Sequence, residues 1–302
     1  MKDVHALPPA EGGFRLLEVG IADVRKPLTV QRRDRVVTLT VTFAVSVDLP
    51  ASRKGSDLSR NAELLAEVVD ATVTRPVASL ESACSEIARS LLARHRYATA
   101  SRVRARAEYF LPRGVSPDRE SLEDFVLLAT ARAERGAAGA VRVVREVGTE
   151  AVGLTACPCA MENVRDQLTA DYPLLKDPSL ADLPLVTHNQ RNRTRLTLEL
   201  EEGVDVEADR MIEAIEAAQS SPTYAILKRG DEARVVVDAH RHPRFVEDVL
   251  RALLASLGAR FSDLPDSVRV RAETVSEESI HKYNVVAAHE ATLGELRANP
   301  GG

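Results

Sequence analysis

The chain reads as an α+β protein built from two successive strand–helix–strand blocks. Three observations predict this. Short β-branched segments alternating in polarity recur in both halves, and between them lie segments with apolar residues at helical spacing. No regular strand–helix alternation carrying a glycine-rich dinucleotide loop or a phosphate-cradling loop occurs, which argues against a Rossmann or P-loop architecture.

The first strand is Val36–Val47, VVTLTVTFAVSV, stopped by Asp48-Leu49-Pro50. A basic loop, RKGSDLSR (Arg53–Arg60), leads through Ser59 as the expected N-cap into two helices. Asn61–Ala71 carries Leu64, Leu65, Val68 and Val69 on one face, and Leu80–His95 carries Ile87, Leu91 and Leu92. Ser101–Phe110 alternates strictly and predicts a strand, as does Val141–Val147 after the Gly-Ala-Ala-Gly turn at 136–139. Leu122–Glu134 fits strand and helix equally. The second half predicts a strand at Thr194–Leu200, a helix at Ala208–Ala218, a strand at Arg234–Asp238, a helix at Pro243–Leu257 and a strand at Ser267–Thr274. The order of elements repeats without visible self-similarity. With the Pro- and Asp-rich stretch Asp171–Pro184 as a join, it predicts a tandem duplication, with units at residues 1–150 and 151–302.

Composition bounds the function. With 302 residues, 44% of them hydrophobic, the chain can bury a large core. A net charge of −5, from 40 Lys+Arg against 45 Asp+Glu, argues against broad nucleic-acid binding. No apolar run approaches the roughly 20 residues of a membrane span. The start, MKDVHALPPAEGGFR, lacks the apolar stretch of a secretory signal, so a cytoplasmic location is expected. Cys84, Cys157 and Cys159 are too few for a disulfide framework. Cys84 sits on a helical face and reads as packing, whereas the pair in TACPCA reads as ligand or reactive thiols.

Thiolate, imidazole and carboxylate together are the donor set of zinc and neighbouring metals, whose catalytic sites leave one position open. Cys157 or Cys159 offers sulfur, His188 in THNQR offers nitrogen, and Glu232 or Glu278 offers a carboxylate. His188 equally suits a solvated turn, and His240 and His242 look like an exposed helix entry. Glu278 and His281, in ESIH, form a second constellation, since a carboxylate can orient an imidazole for proton transfer. Both serve one site only if the strand before them has ended, because residues three apart point to opposite faces of a strand. Glu247 near the start of a helix complements its dipole or accepts two N–H groups of a purine edge. Arg53, Lys54 and Arg60 suit phosphate binding or a solvated turn.

In order, RKGSDLSR, TACPCA, THNQR, SPTYAILKRGDE, PRFVED and ESIH resemble the motifs of the type IB GTP cyclohydrolases and their archaeal, metal-dependent relatives, from about Ala22 to about Ala288. The resemblance implies a tandem tunnelling fold, two antiparallel sheets each backed by helices, assembled as a homo-oligomer, expected to be a tetramer, with sites at subunit interfaces. It implies one divalent metal per site, Zn²⁺, Fe²⁺ or Mn²⁺, held by Cys157, His188 and Glu232. Such a metal activates water near neutrality. The implied reaction is attack at C8 of the guanine of GTP, ring opening and loss of formate, giving 7,8-dihydroneopterin triphosphate or its 2',3'-cyclic phosphate for pterin or folate biosynthesis. By the same resemblance Glu247 anchors the guanine edge, His281 steadied by Glu278 moves the proton, and Arg53, Lys54 and Arg60 meet the phosphates. Three features depart from the family: Ser56 stands where Ile is common, Asp57 where His is common, and Lys282-Tyr283-Asn284 follow ESIH in place of a histidine-rich continuation. The long insertion between TACPCAM and THNQR is of the archaeal kind. Two other readings stand beside this one, a paralogue acting on another purine or pterin and a non-catalytic purine-binding scaffold.

Overall fold

Period-two alternation in this chain builds strands longer than the roughly 3–10 residues common in globular proteins. In the computed structural model, which describes residues 4–9, 11–32, 35–116, 119–136 and 139–299, β1 (Leu16–Gln31), β2 (Val36–Leu49), β3 (Ala100–Gly114), β4 (Glu120–Arg135) and β5 (Val141–Ala156) each span 14–16 residues. Two helices, α1 (Leu58–Thr72) and α2 (Leu80–Arg94), separate β2 from β3. After β5 come α3 (Pro158–Asp171), β6 (Asn189–Leu200), α4 (Ala208–Ala218), β7 (Ser221–Pro222), α5 (Arg229–Arg241), α6 (Val246–Arg260), β8 (Arg269–Ser276), β9 (Val285–Thr292) and α7 (Leu293–Ala298). Hydrogen-bonded neighbours run β1-β2-β3-β4-β5-β6-β8-β9, with β7 against β5. The pairs β1/β2, β2/β3, β5/β7 and β8/β9 are antiparallel.

The chain forms two compact units. The first takes Met1–Tyr109, Val126–Val147 and Glu199–Asp205. Its core sets Leu28, Val41 and Phe43 of the strands with Leu65, Ile87, Leu91 and Leu92 of the two helices, all fully buried. The second takes Phe110–Phe125, Gly148–Leu198 and Val206–Gly302. There Leu196 and Leu198 of β6 join Met211 and Ile212 of α4 and Leu253 and Leu257 of α6. Each such side chain contributes on the order of 1.5–3 kcal/mol by leaving water.

The helix at Ala208–Ala218 and the strands begun at Val36 and Val141 match the sequence reading, and Leu122–Glu134 resolves as strand β4. Two local expectations are corrected, and β1 and α3 are among the elements that the sequence reading did not assign. Arg234–Asp238 lies inside helix α5, not in a strand. Asp231 accepts from the backbone N–H of Lys228 at 3.1 Å and closes the first turn, while Val235 is buried and Val236 and Val237 face out. Helix capping and one-sided burial override the β preference of three consecutive valines. The N-cap of α1 is Asp57 rather than Ser59. Strand β1 precedes Val36, its alternation masked by register shifts and by Asp23 at φ +58°, the mark of a bulge. Helix α3 follows the Cys-Pro step, with Pro158 at the first helical position, where its missing N–H has no partner to lose. The middle of the 136–139 turn, Ala137 and Ala138, lies outside the described residues. Among the described residues no helix is long and apolar enough to cross a membrane.

Candidate functional site

Cys157 directly follows β5 and caps α3, its Sγ accepting from the Ala160 N–H at 3.4 Å. His188 immediately precedes β6. The two backbones are stitched together, because Cys157 N donates to His188 O at 3.1 Å and Thr187 Oγ1 donates to Cys157 O at 2.7 Å. Thus two residues far apart in sequence, each at a strand end, become neighbours by strand pairing rather than by any local motif. Cys157 is half-buried and the His188 side chain is 11% exposed.

His188 is the centre of a polar cluster. Its Nδ1 lies 2.9 Å from Gln190 Oε1 and 3.6 Å from Glu278 Oε2. Gln190 Nε2 donates toward Thr155 Oγ1 at 3.0 Å, Ser276 Oγ at 3.2 Å and Glu278 Oε1 at 3.2 Å. Ser276 Oγ in turn donates to Glu278 Oε1 at 2.7 Å. The His281 ring meets that of His188 edge to face at 6.3 Å between centroids, and Tyr283 stacks on His281 at 4.9 Å. Strand β8 ends at Ser276, so the condition for Glu278 and His281 to serve one site is met. Glu278, however, is bonded to Ser276 and Gln190 and faces His188, and His281 joins the group through its rings.

Beneath the cluster runs a second, fully buried network. Asn192 Nδ2 donates toward Gln219 Oε1 at 2.8 Å, Thr274 Oγ1 at 2.7 Å and Thr194 Oγ1 at 3.2 Å. Gln190, Asn192 and Thr194 occupy the inward positions of β6. None of the three was singled out from the sequence. The available signal was polarity at alternate positions that strand periodicity assigns to the core, where buried polar groups need partners.

The remaining expected residues are placed as follows. Glu232 is exposed in the first turn of α5. Its neighbour Asp231 pairs with Arg119 at 2.5 Å, and that guanidinium together with the Lys228 N–H holds the Asp231 carboxyl below the usual carboxylate range. Glu247 is exposed in the first turn of α6, and Asp248, not Glu247, accepts from the Phe245 N–H to cap the helix. His240 is half-buried and His242 exposed near the end of α5, their Nδ1 atoms bonded to Val236 O and Asp238 O. Cys159 is exposed, and Cys84 is buried, with burial pushing its thiol well above the ordinary range.

Arg53, Lys54 and Arg60 belong to the first unit. Arg53 lies over the Tyr97 ring at 4.1 Å, and Asp57 stands 3.6 Å from Arg53 and 3.1 Å from Arg60. Arg60 also donates to Arg94 O at 3.2 Å. Ser56 and Tyr97 share a 2.8 Å hydrogen bond, and Tyr97 OH continues to His95 Nδ1 at 2.9 Å, with His95 Nε2 2.6 Å from Asn61 Oδ1. Asp57 therefore sets an anion between the guanidinium groups of Arg53 and Arg60.

Sulfur from Cys157 and nitrogen from His188 suit two corners of a metal centre. Among the described residues, no group of three or more His, Cys, Asp and Glu side chains is gathered that could hold a metal ion. The chain thus brings two of the three expected ligands together and does not add Glu232 to them.

Comparison with known proteins adds to this geometry. Two uricases share the fold: that of Bacillus fastidious at a TM-score of 0.53, 12% identity, over 96% of this chain and 98% of that one, and that of Arthrobacter globiformis at 0.50, 9% identity, over 91% and 93%. Among curated proteins, GTP cyclohydrolase MptA of Methanococcoides burtonii is 40% identical over 94% of this chain and 92% of its own length. The protein of the same name from Methanosarcina acetivorans is 38% identical over 99% and 96%. The family model described as type I GTP cyclohydrolase folE2 matches residues 1–287. The chain therefore belongs to the type I GTP cyclohydrolase folE2 family and is an enzyme of that family.

Proposed function

We propose that the chain converts GTP by opening the guanine imidazole ring at C8 with release of formate, giving 7,8-dihydroneopterin triphosphate or its 2',3'-cyclic phosphate in pterin biosynthesis. The observation that carries this reading is the joining of Cys157 to His188, with Gln190, Glu278 and His281 around the imidazole, in a chain whose relatives carry the name GTP cyclohydrolase. Cys157 and His188 would hold a divalent metal, Zn²⁺, Fe²⁺ or Mn²⁺, and Glu232 would complete the set as third ligand only by moving in from the exposed first turn of α5. The bound metal supplies Lewis acidity and a nucleophilic water at neutral pH. His281, backed by Tyr283, carries the proton between the attacked C8–N bond and solvent, and Glu278 acts on the cluster as its carboxylate. Glu247 accepts from the guanine edge, while Arg53, Lys54 and Arg60 meet the phosphates.

Two tunnelling-fold units, residues 1–150 and 151–302, form the protomer, supported by the presence of antiparallel strands and packed helices in both halves of the chain. The active assembly is a homotetramer with sites at subunit interfaces, in the cytoplasm. Formate and fluorescent pterin production from GTP, measured anaerobically after loading with Fe²⁺, Mn²⁺ or Zn²⁺, tests the reading. Turnover that disappears in Cys157→Ala and His188→Ala supports it. Product mass and phosphate release separate the two products.

A second reading, a paralogue acting on a less phosphorylated purine or pterin, is favoured by one observation. Asp57 lies against both Arg53 and Arg60. Binding of guanine compounds by the metal-loaded protein without formate release from GTP would favour it.

A further inference from the structure

We infer that Gln190 is a positioning residue that fixes the tautomer of His188, and that Glu278 exerts its effect through Gln190. The inference rests on the reading of His188 as a metal ligand for its functional consequence, although the hydrogen-bond logic stands without it.

A side-chain amide presents an acceptor on one side and two N–H donors on the other, so its orientation must be read from its partners. For Gln190 the partners decide. One end faces the Glu278 carboxylate at 3.2 Å, together with the hydroxyls of Thr155 and Ser276. Glu278 Oε1 already accepts from the Ser276 hydroxyl at 2.7 Å, so the amide nitrogen, as a donor, belongs at that end. A flipped amide would set its carbonyl oxygen against a carboxylate oxygen. The Gln190 oxygen therefore faces His188 Nδ1 at 2.9 Å, with the Ser279 hydroxyl a second donor to it at 3.4 Å.

The consequence follows at the ring. A carbonyl oxygen accepts, so Nδ1 carries the proton and Nε2 holds the free lone pair. Glu278 Oε2, at 3.6 Å from Nδ1, favours the same arrangement electrostatically. A metal-ligating histidine works in this state, with its second nitrogen bonded to a group that holds the ring in place. The geometry leads from Glu278 through the Gln190 amide to His188, and the hydroxyls of β5 and β8 set the amide's height. Gln190 is 8% exposed, so little water is available to replace a lost partner.

The test uses metal-free, 15N-histidine-labelled full-length protein at pH 8. Long-range 1H–15N correlation of the His188 ring is expected to show the Nδ1–H form. Gln190→Met, of similar length with no donor and only a weak sulfur acceptor, should lose that preference and weaken Co²⁺ or Zn²⁺ binding about 10–100-fold, the range for outer partners of ligating histidines. In the loaded enzyme, kcat should fall more than KM rises. Glu278→Gln keeps an acceptor for the amide nitrogen, so it should preserve the tautomer and lose less metal affinity than Gln190→Met. That second variant keeps the test alive if Gln190→Met fails to fold. An Nε2–H tautomer in the wild-type protein, or an unchanged tautomer in folded Gln190→Met, overturns the inference. If His188→Ala binds metal as tightly as wild type while the tautomer shifts as expected, the metal reading fails and the positioning role stands.

Discussion

Replacing Thr274 with valine tests whether the buried polar network of the second unit is a source of stability. The threonine is fully buried, and its hydroxyl accepts from Asn192 Nδ2 at 2.7 Å, lies 2.8 Å from Thr194 Oγ1 and donates to Asn192 Oδ1 at 3.1 Å. Valine has nearly the same volume, so no cavity forms, and the effect isolates the hydroxyl. Asn192 Nδ2 keeps Gln219 Oε1 at 2.8 Å, whereas Asn192 Oδ1 loses the Thr274 donor. One lost hydrogen bond costs about 1 kcal/mol and an orphaned buried acceptor about 1–3 kcal/mol more, which sums to roughly 2–4 kcal/mol. Against a typical total of about 5–15 kcal/mol this is a large fraction. Urea unfolding followed by circular dichroism should show a lower midpoint at unchanged slope. Thr274→Ser keeps the hydroxyl and loses one methyl, so it should cost only about 1 kcal/mol. A valine variant as stable as the serine variant would refute the reasoning.

Cys84 is buried with its thiol pushed up by desolvation, whereas Cys157 and Cys159 reach solvent, so a thiol reagent should label two of the three cysteines in the metal-free folded protein and all three after unfolding. Burial, with Arg60, Arg53 and Arg94 nearby, lowers the pKa of His95 below its ordinary value near 6.5. The unfolded chain then binds more protons than the folded one, so this stability is present above about pH 6.5 and is lost as pH falls through the folded pKa. His95→Gln should flatten the decline of Tm between pH 7 and pH 5. Asp57→Asn removes the anion shared by Arg53 and Arg60 and should lower KM for GTP a few-fold, while leaving the Kd for guanosine unchanged. Equal effects on GTP and guanosine would show that the loop does not meet phosphate.

Much of the secondary structure was legible because it rests on local periodicity. Ala208–Ala218 pairs a strong 3.6-residue apolar stripe with good helix formers, and its boundaries follow from sequence alone. The strand begun at Val36 is legible for the same reason at period two. Where a local signal met a competing one, the reading failed. The valines at 235–237 look like a strand, yet the cap at Lys228 and Asp231 and the burial of only Val235 make them helical. Strand β1 was hidden by its own bulge, since one residue at positive φ shifts the alternation to the opposite face.

The candidate site divides along the same line. By itself the sequence determined which chemistry-bearing residues exist, the order of six motifs that marks the family, and the helical and strand faces of their neighbours. Tertiary structure alone decided which of those residues meet. Cys157 and His188 adjoin because β5 and β6 are neighbours, and Glu278 reaches Gln190 because β8 lies on the other side of β6. Gln190 itself, an ordinary polar residue in sequence, gains its place only when strand pairing leaves it buried between a carboxylate and an imidazole. The physical reason is that hydrogen bonds between strands act across dozens of residues of sequence, whereas the periodicities that can be read from a sequence act within one element.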